Sequence, residues 1–222
     1  MQSVPFVMQL LNSLAALLLL LSFAMLAQRR VVTLVDLFAV QGAVLCAATL
    51  LLAWRTGDMN LYLSAALTFA VKVVVMPWVL HRMIRRLGVY WDTEPLLNIP
   101  GTMLVGVLLV VFSFGLAQPI TALASTATRS AVGIAIAVIL LAFLTMITRR
   151  KAMSQVVGFL SMENGLFFGA MSATYGMPMI VELGVALDVL VAMVVMGVFF
   201  FQIREQFDSL DLDRLESHKA ER

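Results

Sequence analysis

Of 222 residues, 62% are hydrophobic and 13% are charged, against roughly 25% charged in a soluble domain. Fifteen Lys and Arg face thirteen Asp and Glu, a net charge of +2. This excludes a strongly basic nucleic-acid face, and the apolar runs leave too little polar sequence for a separate soluble domain. The single cysteine, Cys46, excludes an internal disulfide and a thiolate metal site, and it reads as a small buried hydrophobe.

A membrane-spanning helix needs about 20 mainly apolar residues. In chain order the hydropathy predicts seven: 4–27, 31–54, 59–80, 101–123, 131–148, 154–175 and 177–203. The fold class is therefore all-α, a polytopic membrane protein with seven transmembrane helices. The first run lacks a basic start and a clean cleavage site, and it is too long for a signal core, so it reads as a retained helix. The longest loop, 81–99, begins with basic residues and continues through Tyr90, Trp91, Asp92 and Glu94. That mixture suits the headgroup zone, with a short interfacial helix as one arrangement. Tyr175-Gly176-Met177-Pro178 is a tight turn that makes the last two helices antiparallel neighbours.

Orientation follows from the positive-inside rule. With the N-terminus outside, the inward segments hold Arg29, Arg30, Arg82, Arg85, Arg86, Arg149, Arg150, Lys151, Arg204, Arg214, Lys219 and Arg222. The outward loops hold only Arg55 and Arg129, and Lys72 lies within a span. The expected arrangement is N-terminus outside and C-terminus cytoplasmic, ending in a tail of alternating acids and bases.

Ionisable side chains inside the spans are the candidate functional residues. A charge at the bilayer centre costs about 2.5–3.5 kcal/mol on insertion scales, and such groups mark ion or proton routes. Lys72 in the third span, Glu163 in the sixth and Asp188 in the seventh fall at similar depth. Together they make a candidate relay, in which a carboxylate held between an apolar surround and a lysine exchanges its proton when a neighbour moves. The competing reading is an ion pair that only ties helices together, with Lys72 joined to Glu163 or to Asp188. Asp36, near Arg29 and Arg30, and Glu182, near the outer end of the last span, are secondary candidates for relay entry or exit. Gly184 and Ala192 flank Asp188 on its own helix face, and Gly165 and Gly169 form a small-residue step, both suited to close helix contact.

No CxxC, paired-histidine set, Gly-rich phosphate loop or Ser-His-Asp set stands out, so no catalytic residue, cofactor or metal is expected in this chain. The run Gly158-Phe159-Leu160-Ser161-Met162-Glu163-Asn164-Gly165-Leu166, with Asp188 in the next helix and Arg149-Arg150-Lys151 before it, resembles the small K subunit of respiratory complex I and the related subunit of cation/proton antiporters. That family has three helices, with a glutamate in the second and an acid in the third. With four further N-terminal helices, the whole chain resembles hydrogenase-4 component E of group 4 membrane-bound hydrogenases.

The resemblance implies a division into 1–128 (four helices with a cytoplasmic loop at about 81–99), 129–206 (the K-subunit-like part) and 207–222 (a cytoplasmic tail). It implies a non-catalytic membrane subunit in a prokaryotic inner membrane. Its partners would be antiporter-like subunits, a cytoplasmic hydrogenase arm and lipids, with no nucleic acid. A NiFe centre and iron-sulfur clusters would lie in partner subunits. Glu163, Asp188 and Lys72 would couple redox chemistry to proton or sodium translocation. The alternatives are a subunit of a cation/proton antiporter without redox partners, and a structural membrane spacer.

Overall fold

The computed structural model describes residues 3–88, 90–91, 98–120, 126–174 and 197. The chain falls into two compact units, Met1–Ala186 and Leu187–Arg222. Of the second, only Gly197 is described, and it is helical. In the first, α1 (Ser3–Ala27), α2 (Val31–Thr56) and α3 (Met59–Thr68) are followed by a π-helical segment (Phe69–Val75). Next come α4 (Met76–Leu87), α5 (Ile99–Ile120), α6 (Thr126–Thr148) and α7 (Ala152–Thr174). The one extended contact among the described residues is an isolated bridge between Arg30 and Trp91.

Among the described residues six helices are long and apolar enough to cross a membrane, with α3, the π-segment and α4 forming one composite span over Met59–Arg86. The predicted seventh span, the turn at 175–178, Glu182, Gly184, Asp188, Ala192 and the tail lie outside the described residues, Gly197 excepted. The third span is longer than its hydropathy predicts. It ends at Leu87, where Gly88 adopts a left-handed conformation with φ 65°, so residues 81–87 are helix and the expected loop shrinks accordingly. Arg82, Arg85 and Arg86 lower the hydropathy there without stopping the helix, because long basic side chains can extend towards water from a helix that stays regular.

The π-segment has a covalent cause. Pro77 has no N–H to offer Val73 and its ring crowds that carbonyl. A proline is tolerated only where a helix begins, and it stands at the second residue of α4. The hydrogen bonding slips before it: Met76 N–H reaches the Val71 carbonyl five residues back. This slip rephases the helix. Thr68, Lys72, Met76 and Leu80 are all buried at strict four-residue intervals. In an unbroken α-helix each such step would rotate the side chain by about 40°.

Packing places these helices around α2, which touches α1, α3, the π-segment, α4 and α7. The two-residue turn at Gly57 (φ 70°) and Asp58, whose carboxylate caps α3 at Asn60 N (3.0 Å), makes α2 and α3 antiparallel neighbours. Glycines bring α7 against α6. A Cβ on Gly165 would stand 3.0 Å from Ile139 and Val138, one on Gly169 3.0 Å from Ala135 Cβ, and one on Gly158 2.8 Å from Met146 Cγ. The predicted Gly165–Gly169 step is therefore a contact face. By contrast, α5 is peripheral and far less buried than α6.

Among the described residues, the chain around Arg30 meets the segment after α4, and Arg149 meets the end of α1. Val31 N–H donates to the Tyr90 carbonyl (3.1 Å), and the Arg30 guanidinium lies 5.0 Å from the Trp91 ring centroid. Arg149, only 4% exposed, donates from Nη2 to the Leu26 carbonyl (3.0 Å) at the last turn of α1. That carbonyl is one of the four that a helix end leaves without an internal donor. Arg149 thus joins the ends of α1 and α6.

Candidate functional site

Midway along the third span, Gly42 of α2 allows a close approach. A Cβ at that position would lie 3.1 Å from Lys72 Cβ. Lys72 is 2% exposed, and its Nζ lies 3.0 Å from Glu163 Oε1 of α7, whose residue is 3% exposed. The same ammonium donates to Asn164 Oδ1 at 2.9 Å and stands 5.5 Å from the Phe167 ring centroid, within cation–π range. Glu163 and Phe167 are one helical turn apart and Asn164 adjoins Glu163, so one face of α7 surrounds the ammonium with carboxylate, amide and ring.

The amide chemistry extends the site across four spans. A lysine ammonium only donates, so Asn164 must turn its oxygen to Lys72 and its nitrogen away. Asn164 Nδ2 then donates to Gln41 Oε1 on α2 (3.3 Å), and Gln41 Nε2 donates to Ser22 Oγ on α1 (3.0 Å). The Ser22 hydroxyl ends the chain on the Leu18 carbonyl at 2.9 Å. Every link runs in one direction, imposed by the cation at its head. Ser22, Gln41 and Asn164 are all buried. Such a network is stable only when each member is satisfied, and these links satisfy the side chains that bridge the helices.

Of the residues singled out in the sequence, Lys72 and Glu163 come together. Asp36 does not join them. Its carboxylate is 60% exposed and lies 3.2 Å from His81 Nε2, while His81 Nδ1 lies 2.8 Å from the Pro77 carbonyl. Both ring nitrogens face acceptors, so both contacts are hydrogen bonds only when the imidazole is protonated. Cys46 is buried, with Sγ 3.3 Å from the Ala65 carbonyl. Among the described residues no group of three or more His, Cys, Asp or Glu side chains is placed to hold a metal. Sequence reasoning missed Gln41, Asn164 and Ser22. The available signal was their polarity inside apolar runs, weaker than a charge because neutral amides and hydroxyls are less costly in a bilayer.

These features define a multi-pass, all-helical membrane protein built around a buried ion pair. The chain is 37% identical over 199 residues to an uncharacterized protein of Mycobacterium tuberculosis, an alignment that covers 89% of this chain and 90% of that one. It belongs to the same family as that protein. It is also 24% identical over 211 residues to hydrogenase-4 component E of Escherichia coli, covering 95% of this chain and 98% of that one, and equally to the protein of that name from Shigella flexneri. No family model matches the sequence, and no solved structure matches it.

Proposed function

We propose that this chain is a non-catalytic membrane subunit of a complex I-like group 4 hydrogenase, and that Lys72 and Glu163 form a station in its proton (or sodium) translocation path. The observation that carries the reading is the buried contact of 3.0 Å between Lys72 Nζ and Glu163 Oε1, in a chain similar along 95% of its length to hydrogenase-4 component E. Burying an ion pair is rarely the least costly way to stabilise a helix bundle, because desolvation offsets the attraction. A pair retained at such depth is better explained by use.

In this reading the chain has seven spans, with the N-terminus outside and the C-terminus in the cytoplasm of a prokaryote with the complex in its inner membrane. Residues 1–128 are the additional four-helix part, 129–206 the K-subunit-like part and 207–222 a cytoplasmic tail. Glu163 is the main relay carboxylate, Asp188 its partner in the next span and Lys72 the cation that modulates both. Asp36 and Glu182 serve as entry or exit groups. The NiFe centre and iron-sulfur clusters belong to the peripheral arm, which this chain adjoins beside antiporter-like subunits.

The site works by competition for one ammonium. While Glu163 is ionised, Lys72 is held between carboxylate and amide. A proton delivered to Glu163 weakens that tie, and the ammonium keeps the Asn164 oxygen, whose orientation is locked by Gln41. The pair can thus change state without leaving Lys72 unsatisfied. Purification of the tagged chain in mild detergent, with identification of the co-purifying proteins, tests the assignment. NiFe hydrogenase large and small subunits support it, whereas antiporter subunits without any hydrogenase subunit replace it with the antiporter reading.

A further inference from the structure

The polar residues of the third span are spaced in a way the Lys72–Glu163 station does not use. From Met59 to Val75 the side chains that are not hydrocarbon are Asn60, Tyr62, Ser64, Thr68 and Lys72, besides the Met59 thioether. Four of them, Asn60, Ser64, Thr68 and Lys72, recur at intervals of four. Residues four apart share a helix face, and the π-segment cancels the rotation that would otherwise carry Lys72 off the row. The row grades from surface to interior: Asn60 is exposed at the end of the span, while Ser64 and Thr68 are each 1% exposed and Lys72 is 2% exposed.

The two middle hydroxyls are chemically unusual. A serine or threonine in an apolar helix normally donates to the carbonyl one turn earlier, as Ser22, Thr49, Thr145 and Thr148 do here at 2.6–3.0 Å. Ser64 Oγ and Thr68 Oγ1 are buried and meet no protein partner at all. Leaving a buried hydroxyl unmatched costs about 1–3 kcal/mol. Two such groups in succession, one and two turns from a buried ammonium, call for a ligand. Ser154 shares the property, but it lies in the first turn of α7 and belongs to no row.

We infer that Asn60, Ser64 and Thr68 bind a file of water molecules that connects the Met59 end of the third span to the Lys72 ammonium. Water is the ligand that fits, because it can accept from one hydroxyl, donate to the next and still bond a backbone carbonyl, and buried waters take two to four such partners. A hydroxyl-lined file of this kind passes protons by exchanging bonds along the row. The chain on the other side of Lys72 cannot do so readily, since Asn164 and Gln41 are amides, which hold a fixed orientation and are neither appreciably acidic nor appreciably basic near neutral pH. The arrangement is therefore one-sided, conductive towards the Met59 end and insulating towards α1. The inference rests on the relay reading of Lys72 and Glu163, which it extends by giving that station a route to one membrane face.

Two measurements on the assembled complex test it. In a Cys46→Ser background, Ser64→Cys and Thr68→Cys are exposed to silver ion, a small water-borne thiol reagent, added separately to each membrane face. Protection from later alkylation under denaturing conditions is then scored. Protection at both positions from the face bearing the α2–α3 turn, with none at Phe69→Cys on the exposed side, is the expected result; unprotected thiols, or protection only from the opposite face, overturn the inference. In the second measurement, Ser64→Ala with Thr68→Val removes both hydroxyls at nearly constant shape, so the complex should melt no lower than wild type while proton transport slows several-fold, and Thr68→Ser should restore it. Wild-type transport in the double variant overturns the water file even if Glu163→Gln abolishes transport, whereas full transport in Glu163→Gln overturns the relay and leaves the silver result to decide the hydration of the row.

Discussion

Gly42 lies against Lys72 so closely that a Cβ there would stand 3.1 Å from Lys72 Cβ and 3.4 Å from the Lys72 carbonyl oxygen. This contact sets the distance between α2 and the π-segment at the level of the ion pair. Gly42→Ala should be accommodated by a shift of a few tenths of an ångström. Gly42→Leu should overpack the interface at a cost of about 1–3 kcal/mol and move the ammonium relative to Glu163. Thermal melting of the detergent-purified complex checks this, and equal melting temperatures for the leucine variant and wild type would count against the packing described.

The ion pair should show strong coupling. Lys72→Met alone leaves the Glu163 carboxylate buried without its cation, a change that costs about 3–5 kcal/mol, whereas Glu163→Gln still offers Lys72 an acceptor and should cost less. The double variant removes both charges and should be more stable than the sum of the single losses predicts. A double-mutant cycle on melting temperature or on membrane-inserted yield measures this. Strict additivity would mean that the two side chains do not depend on each other.

The amide chain predicts a gradient. Asn164→Leu removes an acceptor from the cation itself and should be the most damaging. Gln41→Leu leaves the Asn164 amide nitrogen without its acceptor, at about 1–3 kcal/mol. Ser22→Ala removes only the final link and should cost least. Melting temperatures ordered in any other way would show that the chain does not start at Lys72.

Much of this site was legible in the sequence, and what was not has physical reasons. Lys72 and Glu163 stand out because a charge in an apolar run is costly and therefore conspicuous. Their pairing needed the structure, since hydropathy fixes depth but not which helix faces which; the other partner open to Lys72 in the sequence, Asp188, lies outside the described residues. Asn164 and Gln41 carry no charge and were hidden by their apolar neighbours. The π-segment left only an indirect mark: Pro77 warned of a break in the helix, but its resolution as a phase shift shows only in the four-residue spacing of buried side chains. Arg82, Arg85 and Arg86 misled in the opposite sense, reading as loop although the helix runs to Leu87. Arg149 reads as a solvated positive-inside charge, yet it is buried and caps α1.

That last contact yields its own prediction. Arg149→Lys keeps the topogenic charge but replaces a planar guanidinium with a point charge, so it should preserve orientation while loosening the α1–α6 junction. Arg149→Ala should lower the melting temperature further. Accessibility of thiols introduced at Arg30 and at Asp58, in the Cys46→Ser background, reads the topology separately: the first should be reached from the cytoplasm and the second from outside. The reverse pattern would contradict the N-terminus-outside arrangement.

The most direct test of the central claim is the ratio of protons translocated to electrons transferred in the assembled complex carrying Glu163→Gln. Glutamine keeps the shape and can still accept from Lys72, but it cannot take up and release a proton. The account predicts intact assembly and electron transfer with translocation lost or greatly reduced. An unchanged ratio in a fully assembled complex would contradict it and leave the Lys72–Glu163 contact as a structural tie.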